Sequence, residues 1–217
     1  MIARDGYSTI AVVILTAAII SYAASFGGHW TQWVVYGSMI LLVGFIFYFF
    51  RDPERRVPEA ENLVLSPADG KVVLVKEVEE PDYIGGEALQ ISIFLSPMDV
   101  HVNRIPSHGT VEYVEYHPGI YLMAFDHRSS ELNERADFGV LHPSGRKIFF
   151  RQITGFLARR IVYHIGVGDT VRAGNRFGMM KFGSRMDILL PPGVELRVQE
   201  GDRTVAGETV LAAISPS

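Results

Sequence analysis

Apolar residues dominate the first fifty positions of the chain, with one short polar break between two blocks. The apolar stretches, residues 8–26 and 33–50, contain no Asp, Glu, Lys or Arg. Each is close to the roughly 17–25 residues that a membrane-spanning helix needs. Tryptophan and tyrosine residues lie near their ends, where interfacial aromatic side chains are common. The pattern predicts a membrane anchor of two hydrophobic helices over residues 1–50.

Two other interpretations of this anchor are weaker. A cleaved signal peptide is disfavoured because the two stretches together are too long and no small-residue cleavage site precedes the second. A shallow interfacial anchor has the same composition but does not need two stretches of spanning length. A helical hairpin is therefore the favoured prediction.

The positions of the arginines predict the orientation of this hairpin. The polar break, residues 27–32, carries no Lys or Arg, whereas Arg4 precedes the first stretch and Arg51, Arg55 and Arg56 follow the second. Positively charged flanks stay on the cytoplasmic side of a membrane. We therefore expect an inner-membrane protein whose remaining chain is cytoplasmic.

From residue 51 onward the pattern changes to short β-type runs separated by Pro, Gly and Asp. Residues 109–117 alternate between apolar and polar with the period of a strand. Residues 139–155 indicate a hairpin with Pro-Ser-Gly in the turn, and a short helix is possible only within residues 121–135. The prediction for residues 51–217 is a mainly β domain, built as a sandwich or barrel-like fold. Further strands are predicted within residues 62–78 and 88–97.

A faint internal repeat lies in the last third of the chain. "GDTVRAG" at 168–174 and "GDRTVAG" at 201–207 share their first and last two residues, and a short predicted strand follows each. Such turns recur in lipoyl- and biotinyl-type β-sandwich domains. Ordinary tight turns explain the repeat equally well.

Composition removes several classes of function. The formal net charge of −4 gives no basic field for nucleic acid. The chain has no cysteine, so disulfides, thiolate nucleophiles and cysteine-based metal sites are excluded. Its seven histidines show no metal-ligand spacing, and we expect no metal site.

Ser184 is the first candidate for chemistry. Its surroundings, "FGSRM", lack the Gly-x-Ser-x-Gly elbow of serine hydrolases, and an isolated serine in a strand is usually structural. The preceding Gly183 gives the peptide bond a second possibility, because glycine leaves the carbonyl sterically open. The hydroxyl can attack that carbonyl, and elimination then cuts the chain and leaves a pyruvoyl group at position 184. This route produces an electrophilic cofactor without cysteine or lysine.

Two further polar groups stand at the ends of predicted strands. "FLSPMDVHVNRIP" at 94–106 places Asp99, His101 and Arg104 just beyond an apolar strand. His101 can act as a general acid or base near neutral pH, although a strand-end histidine is more often bonded to backbone. Asp69 lies in "SPADG" and by itself is an ordinary turn aspartate.

Five segments of the chain form an ordered set: "FFRDPERRVP", "LSPADGKV", "IFLSPMDVHVNRIP", "NER" at 133–135 and "GMMKFGSRMDILLPPG". Together they resemble the short form of the phosphatidylserine decarboxylase family, whose members are pyruvoyl-dependent membrane enzymes. The resemblance implies that Ser184 becomes the pyruvoyl group after cleavage between Gly183 and Ser184. Residues 1–183 would form a β fragment and residues 184–217 an α fragment, held together as a heterodimer.

The resemblance also implies the reaction and the roles of other residues. The pyruvoyl carbonyl would form a Schiff base with the amine of phosphatidylserine, and loss of carbon dioxide would give phosphatidylethanolamine. His101 corresponds to the histidine that assists decarboxylation, and Asp69 to the aspartate that supports the serine during self-cleavage. Arg104 stands where many members have a second histidine, so the base for Ser184 is open and Arg104 is a candidate for binding substrate phosphate or carboxylate.

Two alternative functions are consistent with parts of the sequence. A membrane-anchored lipoyl-like β-sandwich adaptor without catalysis is favoured by the Gly-Asp repeat, but it gives no reason for a cleavable Gly-Ser pair. A pyruvoyl decarboxylase for a soluble amino acid is less consistent with the membrane hairpin.

Overall fold

The chain forms two compact units, Met1–Glu54 and Arg55–Ser217, in a computed structural model. The structure describes residues 1–120, 132–155, 160–181 and 184–214. Most of the predicted short helix at 121–135 lies outside the described residues, and Arg135 begins a strand instead.

The N-terminal unit is a helical hairpin. A 3-10 turn at Arg4–Gly6 leads into α1 (Tyr7–Ala24), and α2 spans His29–Phe49. The amide of Ala3 donates to the carbonyl of Phe50 over 2.8 Å, so the two ends of the hairpin meet.

The second helix begins earlier than the apolar pattern indicated. Four polar or aromatic residues of the predicted break, residues 29–32, form its first turn. Gln32 donates from its side chain to the carbonyls of Ser25 and Gly27 at the end of α1, both over 3.1 Å. Polar side chains fit here because a helix terminus leaves backbone groups that need partners.

Both helices are apolar on all sides and present those side chains outward. Leu15, Ile40 and Leu41 are 63, 72 and 77 % exposed. Two helices in the described residues are long and apolar enough to cross a membrane. A helix that is apolar all round and unburied is suited to a lipid environment.

The described residues of the second unit contain fourteen strands in three antiparallel sheets. The strands are β1 Leu63–Leu65, β2 Gly70–Glu80, β3 Gly86–Leu95, β4 Val102–Arg104, β5 Gly109–His117, β6 Arg135–Leu141, β7 Lys147–Thr154, β8 Ile161–Tyr163, β9 Thr170–Val171, β10 Arg176–Met180, β11 Ser184–Leu190, β12 Val194–Leu196, β13 Arg203–Thr204 and β14 Val210–Ile214. The large sheet has the order β13-β2-β3-β11-β7-β6-β5-β9 and curls into a half-barrel. Two small sheets, β1-β14-β12 and β4-β10-β8, complete the unit.

This architecture confirms the predicted mainly β fold. The alternating segment 109–117 is β5 to the residue, and the predicted hairpin is β6 and β7 paired from Leu141–Lys147 to Arg135–Ile153. The turn of that hairpin contains Gly145 with φ of 80°, a conformation that favours glycine.

The faint sequence repeat corresponds to two copies of one turn. Gly168 and Gly201 have φ of 96° and 99°, and Gly174 and Gly207 have φ of 81° and 75°. The strand inside each turn pairs with an equivalent partner, β9 with β5 and β13 with β2. The shared glycines are therefore explained by a shared left-handed backbone conformation.

Reciprocal hydrogen bonds join the halves that contain these turns. The amide of Leu65 donates to the carbonyl of Pro106 over 2.8 Å, and the amide of Arg104 donates to the carbonyl of Pro67 over 2.9 Å. Such an exchange indicates an approximate two-fold relation between the β1–β2 half and the β4–β5 half.

The core lies between the half-barrel and the two small sheets. We call the side of the large sheet that faces this core the inner face and the other side the outer face. Phe138 and Phe150 on the inner face pack against Phe177 of β10, with ring centroids 5.3–5.4 Å apart. Met186 and Ile188 of β11 belong to the same buried cluster, so even-numbered residues of β11 face inward.

Candidate active site

Ser184 is the first residue of β11, a central strand of the half-barrel. It pairs with Leu95 at the end of β3 and with Thr154 at the end of β7. Its side chain is on the inner face and fully buried. Among the described residues, no group forms a hydrogen bond with Ser184 Oγ. A buried hydroxyl left unpaired costs about 1–3 kcal/mol, so its position calls for an explanation.

Gly183, the other residue of the predicted cleavage site, lies outside the described residues. The candidate site is therefore built from Ser184 and the strand ends around it. The start of β2, the end of β3, the start of β11 and the end of β7 all meet at this end of the sheet.

His101 is positioned by a tight turn after β3. Ser96 donates its amide to Asp99 Oδ2 over 2.8 Å, which fixes the turn. The fully buried His101 ring has its Nδ1 3.0 Å from the carbonyl of Asp99. A carbonyl only accepts hydrogen bonds, so Nδ1 carries the proton and a neutral ring has its lone pair on Nε2. This tautomer suits a group that exchanges protons.

Asp69 precedes β2, two strands away from Ser184. Arg55 Nη2 donates to both of its carboxylate oxygens over 2.9 and 2.8 Å, and the amide of Ala206 donates over 2.8 Å. In the described part of the chain no hydrogen bond joins Asp69 to Ser184. The carboxylate is thus held at the same end of the sheet, where it anchors the turn before β2.

Arg104 is directed toward the repeated turns. Its Nη1 donates to the carbonyl of Gly174 over 2.8 Å, and a Cβ added to Gly207 would lie 2.9 Å from its Cδ. The adjacent Asn103 points to the other side of β4, as alternation along a strand requires. The role of Arg104 in binding substrate stays a prediction.

An amide pair that the sequence analysis missed lies on the inner face near Ser184. Gln152 of β7 donates from Nε2 to Asn103 Oδ1 over 2.8 Å, and both side chains are fully buried. Gln152 Oε1 and Asn103 Nδ2 have no hydrogen-bond partner in the described residues. The available signal was Gln152 itself, a polar residue at an inward position of an apolar strand.

The outer face behind Ser184 carries buried charges with partners. Arg185 donates from Nε to Asp187 Oδ1 and from Nη2 to Ser92 Oγ, both over 2.6 Å. Gln90 donates to the other oxygen of Asp187 over 3.0 Å. Sequence analysis did not find this group, because a charged pair two residues apart in a strand normally indicates a solvent-exposed face.

A second charged cluster on the outer face surrounds Asp137. Burial raises the pKa of Asp137, and the nearby Arg151 and Arg135 pull that pKa back down. Their Nε atoms lie 3.3 and 3.1 Å from Asp137 Oδ2. The cluster lies on β6 and β7 of the sheet and compensates a buried carboxylate.

The described residues contain no group of three or more His, Asp or Glu side chains placed to hold a metal ion. The electrophile predicted from the sequence would instead come from Ser184. Ser184 lies at the start of β11, His101 lies in the segment after β3, and Gln152 of the amide pair lies near the end of β7. These three elements meet at one end of the sheet.

Comparison with known proteins covers most of the chain. The family model for phosphatidylserine decarboxylase matches residues 42–212. The phosphatidylserine decarboxylase proenzyme of Salinibacter ruber is 52 % identical over 196 residues, which cover 87 % of this chain and 86 % of that protein. The proenzyme of Chlorobium luteolum is 47 % identical over 98 % of this chain and 99 % of its own length. The proenzyme of Symbiobacterium thermophilum is 44 % identical over 99 % of this chain and 96 % of its own.

These matches agree with the resemblance read from the five segments and extend across the strands that form the site. At such identities over nearly full length, shared ancestry accounts for the similarity. The chain belongs to the phosphatidylserine decarboxylase family, a family of decarboxylases.

Proposed function

We propose that this chain converts phosphatidylserine to phosphatidylethanolamine and carbon dioxide at a membrane, after cutting itself between Gly183 and Ser184. The observation that carries the proposal is the Ser184 hydroxyl, which is buried at the start of a central strand and has no hydrogen-bond partner in the described part of the chain. The names of the relatives support processing, since each is called a proenzyme.

The Ser184 position fits self-cleavage on physical grounds. The hydroxyl is not committed to any described acceptor, so attack on a neighbouring carbonyl breaks no existing bond of that group. Glycine on the other side of the scissile bond adds no side chain that could hinder the attack. The strand that begins at Ser184 is held by its neighbours over its whole length, which keeps the nucleophile in place.

Self-cleavage consumes only water. Ser184 Oγ bonds to the Gly183 carbonyl carbon, the C–N bond between the residues breaks, and the hydroxyl proton moves to the nitrogen. Loss of the Ser184 Cα proton then breaks the Cβ–Oγ bond and leaves Gly183 with a carboxylate that has kept the serine oxygen. Water replaces nitrogen at Cα, ammonia leaves, and position 184 ends as a pyruvoyl group.

A pyruvoyl group supplies an electrophilic carbonyl that can take up the electrons released when an amino acid loses carbon dioxide. The side chains of this chain would move protons and keep the site in shape. His101, with its lone pair on Nε2, is the proposed proton donor and acceptor. Asp69, paired with Arg55, is the proposed positioning residue for self-cleavage.

The sheet explains how two fragments, residues 1–183 and 184–217, would stay together. β11 would open the smaller fragment, yet seven of its residues pair with β3 and six with β7. Downstream, β14 pairs with β1 of the larger fragment. A cut before Ser184 therefore leaves these ladders intact, and the product is a heterodimer of the two fragments.

The hairpin supports a membrane location with both ends on one side. Its two apolar helices are of spanning length and its ends meet at Ala3 and Phe50. Arginines flank the hairpin and are absent from its connection, which supports a cytoplasmic location for the β domain. Reporter fusions after Ser217 should show cytoplasmic activity, and a reporter active only in the periplasm there would contradict this orientation.

Intact mass measurement tests the proposal as a whole. The wild-type protein should resolve as two polypeptides, with the smaller starting at position 184 and lighter by one ammonia than residues 184–217 with a free serine. Ser184→Ala should remain one chain and form no phosphatidylethanolamine, because alanine can neither attack nor eliminate. An active full-length protein with unmodified Ser184 would refute the cleavage, and an inactive uncut one would favour the adaptor hypothesis.

A further inference from the structure

Among the described residues, three buried polar atoms on the same side of the core have no hydrogen-bond partner. They are Ser184 Oγ, Gln152 Oε1 and Asn103 Nδ2, and all three residues are fully buried. Gln152 lies opposite Met186 on β7, which makes it a diagonal neighbour of Ser184 on the inner face. Buried polar atoms are rarely left unpaired. The proposed self-cleavage accounts for Ser184 Oγ, so the two amide atoms beside it are the ones that indicate a place for a polar ligand.

The hydrogen bond between Gln152 and Asn103 determines which donors and acceptors of the amide pair remain free. One hydrogen bond between Gln152 and Asn103 uses one donor and one acceptor. Exchanging the roles of the two amides gives the same result, namely one free carbonyl oxygen and one free amino group. Gly178 lies against the pair, since a Cβ there would be 3.1 Å from Gln152 Nε2. The pair is therefore a packed element that offers an acceptor and a donor side by side.

An amino-acid headgroup is complementary to one free carbonyl oxygen and one free amino group. Its ammonium or amine only donates hydrogen bonds, its carboxylate only accepts them, and both are attached to one carbon. Because these groups must lie next to the reacting position, the diagonal neighbour of residue 184 is well placed to bind them. Water could satisfy the same atoms, and the experiment below separates the two.

We propose that Asn103 and Gln152 bind the serine headgroup of the substrate, Asn103 donating to its carboxylate and Gln152 accepting from its amine. This assignment rests on the proposed function. A neutral amide donor suits the reaction, because the carboxylate loses its charge as carbon dioxide leaves. A guanidinium there would stabilise the charged ground state more strongly than the transition state.

The test uses the full-length protein with the double substitution Asn103→Leu and Gln152→Met, which removes both amides and leaves neither unpaired. Gln90→Met is the matched control, since Gln90 is a buried glutamine on the outer face of the same sheet. We expect both proteins to be cut as in the wild type. The double variant should raise KM for phosphatidylserine about 10- to 100-fold with kcat little changed, as expected when binding to a charged group is lost.

A binding measurement provides a readout without turnover. In the uncut Ser184→Ala protein, short-chain phosphatidylserine should bind more tightly than short-chain phosphatidylethanolamine, which lacks the carboxylate. Adding the double substitution should abolish this preference. If the double variant does not fold, Asn103→Asp replaces the donor by an acceptor of nearly the same shape and should lose the preference in the same assay.

Each remaining outcome overturns the inference. If the amide variants stay uncut while Gln90→Met is cut, the pair acts on self-cleavage instead of substrate. If they are cut and KM and the lipid preference are unchanged, the pair binds a structural water. A wild-type protein that is not cut or makes no product contradicts the proposed function itself, which is seen before any variant is compared.

Discussion

Two fully buried serines lie on neighbouring strands of the half-barrel, and their surroundings differ completely. Ser92 of β3 is on the outer face and accepts hydrogen bonds from Arg185 over 2.6 Å and from Gln90 over 3.0 Å. Ser184 of β11 is on the inner face and has no partner among the described residues. The same residue type, equally buried in the same sheet, is thus committed at one position and uncommitted at the other.

The difference separates structural from chemical use of a buried polar group. Around Ser92, each donor and acceptor satisfies a neighbour, so the charges of Arg185 and Asp187 can be buried. Around Ser184, the unpaired atoms raise the free energy of the folded chain and remain available for reaction. The contacts on the outer face therefore stabilise β11, and the inner face carries the residue that we propose as the nucleophile.

The largest expected effect is that of substituting His101, the proposed acid–base group, on decarboxylation. His101→Ala should lower decarboxylation about 10²–10⁴-fold, because a positioned acid–base group contributes that much. Product formation from phosphatidylserine is the measurement. His142→Ala is the matched control, as another buried histidine whose Nε2 lies 3.0 Å from the backbone carbonyl of Glu61.

Whether the His101→Ala chain is cut tests a second role of His101, the activation of Ser184. An uncut chain means that His101 also activates Ser184, and a cut but inactive one means that another group does so. Near-normal turnover by His101→Ala would show that His101 takes no part in the proposed reaction.

Asp187 provides the largest expected effect on the structural side. In the uncut Ser184→Ala background, Asp187→Leu should lower the free energy of unfolding by about 3–5 kcal/mol, because it leaves a buried guanidinium without its partner. Urea unfolding of the detergent-solubilised chain measures this. The double change Arg185→Met with Asp187→Leu should recover most of the loss. If Asp187→Leu costs as little as the double change, Arg185 does not depend on Asp187 and the outer face is not the stabilising side.

The sequence predicted the elements well because each has a local pattern. The alternation of apolar and polar residues predicted β5, and the Pro-Ser-Gly turn predicted the β6–β7 hairpin. The two uncharged stretches predicted the helices. Ser184, His101 and Asp69 were predicted as site residues from motifs in continuous segments, and those roles stay predictions. Their meeting at one end of the sheet follows from the order β2-β3-β11-β7, which no local pattern encodes.

The parts that sequence reasoning missed depend on contacts between distant segments. Gln152 and Asn103 are 49 positions apart, and Arg185 reaches Ser92 across 93 positions. Alternation predicts which way each of these side chains points, but it does not predict what stands opposite. Whether a buried serine is committed or uncommitted was therefore visible only once the strands were paired.

The smallest expected effect compares the two serines directly. Ser92→Ala should be cut like the wild type, because Ser92 Oγ lies on the face away from Ser184. It should nevertheless lower the free energy of unfolding by about 1.5–3 kcal/mol, since Arg185 loses an acceptor for a charged hydrogen bond. Ser184→Ala should behave in the opposite way, with no cutting and a thermal midpoint no lower than that of the wild type, because no described residue forms a hydrogen bond with the lost hydroxyl. Thermal unfolding and gel analysis of the same three preparations measure both properties. A Ser92→Ala protein that stays uncut, or a Ser184→Ala protein that unfolds well below the wild type, would show that the two faces do not divide structure from chemistry.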